Sequence, residues 1–479
     1  MIDYIVVGSG IVGSFIAWEL SKYNLKVLVL EKESDIANGQ TIANSGIIHS
    51  GHDPLENTLK AKLCVRGNLL YRKLETKLQI PLRKTGAYVI AHSKEDLKVL
   101  ADLQKRALYN GVKEVFLLSK EEALKEVKNL KENIKGVLSL PSTMVTFPWE
   151  VCFNLLENAI ENGVELELNQ EVTKIVKKRD YYVVVTNNKT EYQTKGIINS
   201  TGVYSDIIAS YIEKEVPFKI IPRRGEYFVL DHSVANYLTK VIYPLPDIKG
   251  KGVLLTPQVH GNILIGPNAE EILDRDDLAT TKEGLEYVKT EALKQAKNIP
   301  FHANIRTFSG IRASSTYQDF YIKESKLNKK VFHLGGIDSP GLTAAPAISE
   351  YLINLINQKY PLTKKQNFKD FQKTKSSFKN ASIKEKTRLI KEKPLHGKIV
   401  CRCELVTEQE IIEAINSPIG VDTIKGIKKH TRAGAGLCQG GYCENLILKI
   451  IAREKQKKLT KINYYEKNTP ILLKESKET

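Results

Sequence analysis

The hydrophobic positions of this chain fall into short runs separated by glycine, proline and charged residues, and the period within each run predicts its element. Residues 3 to 7 (DYIVV) read as an apolar strand, GSGIVG as a turn, residues 11 to 22 as a helix and KVLVLEK as a second strand, together a compact βαβ unit. GAYVIA (86–91) and YYVVVT (181–186) read as strands, with a helix at 94–109 between them. Residues 150–162 read as a helix, and KGIINSTG (195–202) as a strand running into a glycine turn. A β-rich middle follows, marked by EYFVL, GVLLT and NILIG, then a strand, a glycine-proline loop and a long apolar helix in VFHLGGIDSPGLTAAPAISEYLINLI. No repeat of fixed period is visible. Near residue 362 the texture turns polar and Lys-rich up to Pro394; a Cys-containing segment spans 396–455, and a polar tail from 456 contains one apolar stretch, TPILL, suited to docking on the body.

The first βαβ unit carries chemistry. Gly8, Gly10 and Gly13 spell G-x-G-x-x-G between strand and helix. The first glycine allows the tight turn, the second admits a pyrophosphate to the backbone, and the third lets helix and strand pack closely. A phosphate there meets the unpaired N–H groups of a helix N-terminus. Glu31 closes the second strand 18 residues after Gly13, the spacing at which a carboxylate accepts from a ribose hydroxyl. A dinucleotide is therefore expected.

The pattern resembles the start of glutathione-reductase-like and D-amino-acid-oxidase-like flavoproteins, in which this unit holds the ADP half of FAD. NSTGVYSD, with Thr201 and Gly202, resembles their second glycine motif, and GGIDSPGLTAAPAI, with Gly336, Gly341, Leu342 and Thr343, resembles their C-terminal flavin loop. Helix N-terminal amides near Leu342 and Thr343 suit the negative charge that reduced flavin carries there. The segment NSGIIHSGHDP, with Ser45 and Gly46, together with RRGEYFVLD, TPQVHGNILIGPNAE and FSGIRAS, resembles the FAD-dependent glycerol-3-phosphate dehydrogenase and oxidase family over residues 1 to about 360. L-2-hydroxyglutarate enzymes share much of this pattern. The resemblance implies His49 as the base and Arg312 as the catalytic arginine that grips the substrate anion, with Ser339 touching flavin or substrate. Moving a hydride off an alcohol carbon requires a proton acceptor, and imidazole is poised for it near neutral pH. Arg grips a phosphate or carboxylate by two parallel hydrogen bonds. His52 is the weaker candidate base, and His260, in VHGNILIG, is a candidate to point into the substrate pocket from the β-rich part.

Six cysteines occur, and four of them form Cys401-x-Cys403 and Cys438-x4-Cys443, with 34 residues between the pairs. Cys64 and Cys152 stand alone and read as buried thiols. Thiolates suit zinc or an iron-sulfur cluster, and a disulfide is out of keeping with a reducing cytoplasm. The spacing resembles the bacterioferritin-associated-ferredoxin-like domain, which implies a [2Fe-2S] cluster on these four residues. Thr407 and Glu410 form a capping box for a helix from about 408, and GVDTIKGIKKHTRAGAGLC predicts a second short helix followed by glycines approaching the metal.

The resulting expectation is an α/β plus α+β chain whose Rossmann-like FAD-binding domain contains an inserted β-rich substrate domain. FAD-binding segments fall at about 1–80, 146–215 and 306–363, and substrate segments at about 81–145 and 216–305. A basic linker (364–395), a helical iron-sulfur domain (396–455) and a tail (456–479) follow. The length of 479 residues fits two or three domains. Net charge is +17, and residues 364 to 398 hold twelve Lys/Arg against three Asp/Glu, so about half the excess lies in the connector. That distribution, without interleaved aromatics, argues against a nucleic-acid-associated flavoprotein and for at most peripheral membrane contact. Neither a signal peptide nor a membrane span is expected, which points to the cytoplasm. The family resemblance implies a dehydrogenase acting on sn-glycerol 3-phosphate, with an L-2-hydroxyglutarate-type or, less favoured, an amino-acid dehydrogenase as alternatives within the fold. A cluster splits electron pairs for an outside acceptor, and the resemblance to anaerobic relatives implies that this acceptor is a separate NAD/FAD-dependent or quinone-linked protein. A redox carrier without turnover is the third class.

Overall fold

A computed structural model describes residues 1–246, 251–370 and 377–474. Its first sheet has six strands in the order Tyr321–Glu324, Val331–Gly335, Ile197–Asn199, Tyr4–Val7, Val27–Leu30 and Glu165–Glu167. All neighbouring pairs are parallel except the first, which is antiparallel. The central strand YIVV is buried at every position, as a parallel strand covered on both faces requires. The helix Ile11–Leu20 covers one face with the helices Pro148–Glu161 and Gly341–Lys359, around Phe15, Ile16, Leu20 and Ile348. An antiparallel meander, Val172–Lys177, Tyr182–Thr186 and Glu191–Thr194, covers the other.

The β-rich middle forms a nine-stranded mixed sheet. Its spine is the long antiparallel pair Ile220–Leu230 and Asn304–Ser315, which sets Arg223 opposite Arg312 and Gly225 opposite Gly310. A small sheet of Ile47–Ile48, Met144–Thr146 and Leu82–Lys84 ties this layer to the first.

The C-terminal segment has its own core of Val400, Ile411, Ile415, Ile427, Ile447 and Ile451. Thr407 and Glu410 form the expected capping box of the helix Glu408–Ile415. Among the described residues, the connector carries structure that a solvated linker would lack. Lys365 N–H donates to Lys22 O, and Ser382 caps a helix, Ile383–Glu392, that the sequence reading passed over. The tail docks twice, with Leu472 against the C-terminal core and the Tyr465 carbonyl accepting from Ser34 Oγ at 2.6 Å. Among the described residues, no helix is long and apolar enough to cross a membrane.

Candidate active site

The turn after the first strand opens one end of a crevice of about 850 Å³. Gly8 adopts φ +97°, and a Cβ there would sit 2.9 Å from the Ser200 carbonyl oxygen. At Gly13 a Cβ would lie 1.9 Å from Gly8 O, so only glycine lets the helix rest on the turn. Gly10, the N-cap of Ile11–Leu20, brings no capping side chain, and no acidic residue occupies the first turn. That end therefore offers N–H groups and a positive dipole end to an anion. Glu31 lines the same wall and accepts from Ser9 N–H (2.8 Å), Ser9 Oγ (2.6 Å) and Glu33 N–H (3.1 Å). Thr201 and Gly202 line it from the turn beyond Ile197–Asn199, and Ser45 and Gly46 carry it towards the other end.

At that far end the crevice is lined by His49, Asp53, Arg223, Lys251, Arg312 and Ser339. His49 follows the strand Ile47–Ile48, and its N–H donates to Thr343 Oγ1 at 2.9 Å, which fixes the loop to the helix Gly341–Lys359. Its Nδ1 lies 2.9 Å from the Tyr243 hydroxyl, leaving Nε2 for proton exchange. Burial, with Lys251 and His52 close by, holds its pKa well below the usual 6.5, so the ring is neutral at physiological pH. Lys251 also reaches Ser339 Oγ (3.2 Å) and Asp53 (3.4 Å). Arg312 is deeply set, donates to the Asn268 carbonyl at 2.8 Å and lies beside Tyr227, whose hydroxyl is 3.3 Å from Ser45 Oγ. A neutral base beside Arg and Lys suits deprotonation of a small anionic hydroxy compound.

Several expected residues take other places. His260 does not line the crevice: it sits in the turn before Ile263–Gly266, 3.0 Å from Glu150 Oε1 and edge-on to Phe147. His52 is also outside the lining, bonded through Nδ1 to Ser50 Oγ at 3.2 Å, with burial lowering its pKa to about 4. Gly336 shapes a turn, and Thr343 acts on the His49 loop from behind the wall. Tyr243, Lys251, Asp53 and Arg223 were missed. Asp53 and Arg223 lie inside the motifs NSGIIHSGHDP and RRGEYFVLD without standing out there, whereas Tyr243 and Lys251 carry no local signal, because only the fold brings them to a segment near residue 49.

The four cysteines converge as two pairs. Cys403 Sγ lies 3.7 Å from Cys438 Sγ, and Cys443 shares a hydrogen bond with Cys401. That bond, with backbone N–H groups of Gly434 and Glu404, brings the Cys401 thiol down to about 6 and favours its anionic form. Gly440 and Tyr442 N–H groups face Cys438. A Cβ on Gly436 would sit 2.4 Å from Cys403 Cβ, so the backbone passes tight against the sulfurs. Among the described residues, no three His, Cys, Asp or Glu side chains converge as for a single ion, whereas paired thiols with amide donors fit a two-iron cluster.

The cysteine segment is docked on the first domain. Lys429 Nζ lies 2.7 Å from Asp35 and 2.6 Å from Asn38 Oδ1, and the His430 ring stacks on Phe153 at 3.8 Å. Arg432 pairs with Glu404 at 3.1 Å and lies 5.4 Å over Phe147, the neighbour of Thr146, whose N–H donates to Gly46 O at 2.7 Å.

The family model for FAD dependent oxidoreductases matches residues 3–355. The chain belongs to the FAD-dependent oxidoreductase family. A BFD-like [2Fe-2S] binding domain matches residues 399–453. The oxidoreductase is 42% identical over 473 residues to a glycerol 3-phosphate dehydrogenase of Caloramator mitchellensis, covering 98% of each chain. It is 33% identical to a glycerol 3-phosphate oxidase of Mycoplasma genitalium over 77% of this chain and 97% of the other. Among solved structures, the dithionite-reduced, FAD-bound L-alpha-glycerophosphate oxidase of Mycoplasma pneumoniae superimposes with a TM-score of 0.74 at 32% identity, covering 78% of this chain and 99% of that one. FAD and a [2Fe-2S] cluster are thus its cofactors. The glycine turn, the helix start with no acidic residue in its first turn and Glu31 fit the ADP half of FAD; the paired thiols fit the cluster.

Proposed function

We propose that this oxidoreductase is a dehydrogenase converting sn-glycerol 3-phosphate to dihydroxyacetone phosphate, with electrons leaving by way of the C-terminal domain to a separate acceptor. The observation that carries this reading is the convergence of neutral His49 with Arg312 and Lys251 at the far end of a dinucleotide crevice. Arg312 and Lys251 hold the phosphate, and burial strengthens that grip because water competes less for the charges. Ser339, 3.2 Å from Lys251, steers the same anion. His49 Nε2 takes the hydroxyl proton, while Tyr243 on Nδ1 keeps the ring oriented. Bound FAD supplies the hydride acceptor. The cluster supplies one-electron steps, and contact from Gly46 through Thr146 and Phe147 to Arg432 and Glu404, beside Cys403, supports passage between the domains.

The base and the anion grip would also serve a 2-hydroxyacid, so substrate identity needs a direct test. Under argon the purified protein is mixed with glycerol 3-phosphate, L-2-hydroxyglutarate or proline while flavin absorbance is followed. Bleaching by glycerol 3-phosphate alone is the expected result. Faster bleaching by either rival overturns the substrate assignment.

A further inference from the structure

The two cysteine pairs differ in what lies outside them. Cys401 and Cys443 are buried, whereas Cys438 is exposed and Cys403 half-buried, so the Cys403–Cys438 pair is the side of the cysteine site nearest solvent. Beside it stand large apolar side chains left exposed among the described residues: Leu437 (69% exposed), Tyr442 (63%) and Leu405 (41%). Each is a chain neighbour, or the next but one, of a cluster cysteine. Isolated exposed leucines are ordinary, but a group of them around a solvent-facing redox centre marks a contact surface.

Of the charged chain neighbours of the cluster cysteines, only Arg402 is fully exposed. Glu404 is turned inward, held by Arg432 at 3.1 Å and Lys379 at 3.0 Å. Glu444 is half-buried, with Lys428 and Tyr464 close to its carboxylate. The outward group is Arg402, whose guanidinium lies over the Tyr442 ring at 5.0 Å and is exposed. An apolar centre with a cationic rim is complementary to a partner with an apolar centre and an acidic rim.

We infer that the Leu405–Leu437–Tyr442 patch with Arg402 is the docking surface for an acidic one-electron carrier protein. This rests on the proposed dehydrogenase reading, in which each substrate molecule oxidised yields two electrons, so two carriers are each reduced by one. Steering by Arg402 sets the encounter, and the apolar centre brings the carrier's redox group against the exposed sulfurs.

Binding tests it without turnover. The holoprotein is immobilised and titrated with acidic cytochrome b5, basic cytochrome c and, separately, quinone-containing vesicles. The patch predicts salt-sensitive binding of cytochrome b5 that weakens about tenfold or more in Arg402→Glu and in Leu437→Ser. Cluster absorbance is checked in each variant, and if either loses its cluster, the loss of wild-type binding between low and high salt decides. Anaerobic flavin bleaching by glycerol 3-phosphate should be unchanged in both variants, which separates this proposal from the substrate assignment. Absent or salt-insensitive binding of cytochrome b5, equal binding of cytochrome c, preference for vesicles, or unaltered affinity in cluster-loaded variants overturns it.

Discussion

His49 and Cys401 are both enclosed by protein, yet they ionise in opposite senses. At His49 burial acts with Lys251 and His52 against the charged form, and the ring stays neutral. At Cys401 the Cys443 thiol and the N–H groups of Gly434 and Glu404 outweigh burial, and the thiol's pKa comes down to about 6. Depth alone therefore decides nothing. Donors aimed at the atom make an anion-holding site, and their absence makes a poised base. The same contrast separates the two sites: on the proposed reading one collects a substrate by fixed cations, and the other collects metal by paired thiols.

Breaking the thiolate end has the largest expected effect. Cys401→Ser removes the stabilised anion and should abolish the cluster while FAD stays bound, as iron content and visible absorbance would register. At the other end, His49→Ala should slow anaerobic flavin reduction by roughly 10²–10⁴-fold with FAD retained. Lys429→Met tests the seam between the regions. It leaves buried Asp35 without its nearest cation and should cost about 3–5 kcal/mol, read as a lower Tm. Arg312→Ala should raise the apparent substrate Kd roughly 10- to 100-fold, equivalent to ~1.5–3 kcal/mol for a charge-assisted hydrogen bond.

The smallest effect sharpens the comparison through pH. Because native His49 refuses a proton, its flavin-reduction rate should stay level as pH falls through 6.5, with the acid limb at lower pH. Lys251→Met removes one of the charges behind that shift and should move the limb upward. Stability carries the same sign. Below 6.5 the unfolded chain binds protons that native His49 and His52 exclude, so stability should fall as pH drops from 6.5 towards 4.

Much of this was legible in the sequence. The strand, glycine turn, helix and acid of residues 3–31 form a local unit, and local spacing is what a linear pattern records. The Thr407–Glu410 cap and the cysteine spacing were visible for the same reason. Tyr243 and Lys251 were not, since their nearness to His49 depends on how a nine-stranded sheet is joined to the flavin layer. His260 shows the converse failure: its motif is local, but the turn that carries it faces Glu150 and Phe147 instead of the crevice. The Asp35–Lys429 pair spans nearly the whole chain, and no short-range signal announces it.

The most direct test of the account is a single anaerobic turnover of the holoprotein with one equivalent of glycerol 3-phosphate, followed by flavin absorbance and, after freezing, by electron paramagnetic resonance. Bleaching accompanied by the signal of a reduced [2Fe-2S] cluster is the predicted result. No bleaching, or bleaching that leaves the cluster oxidised, would contradict it.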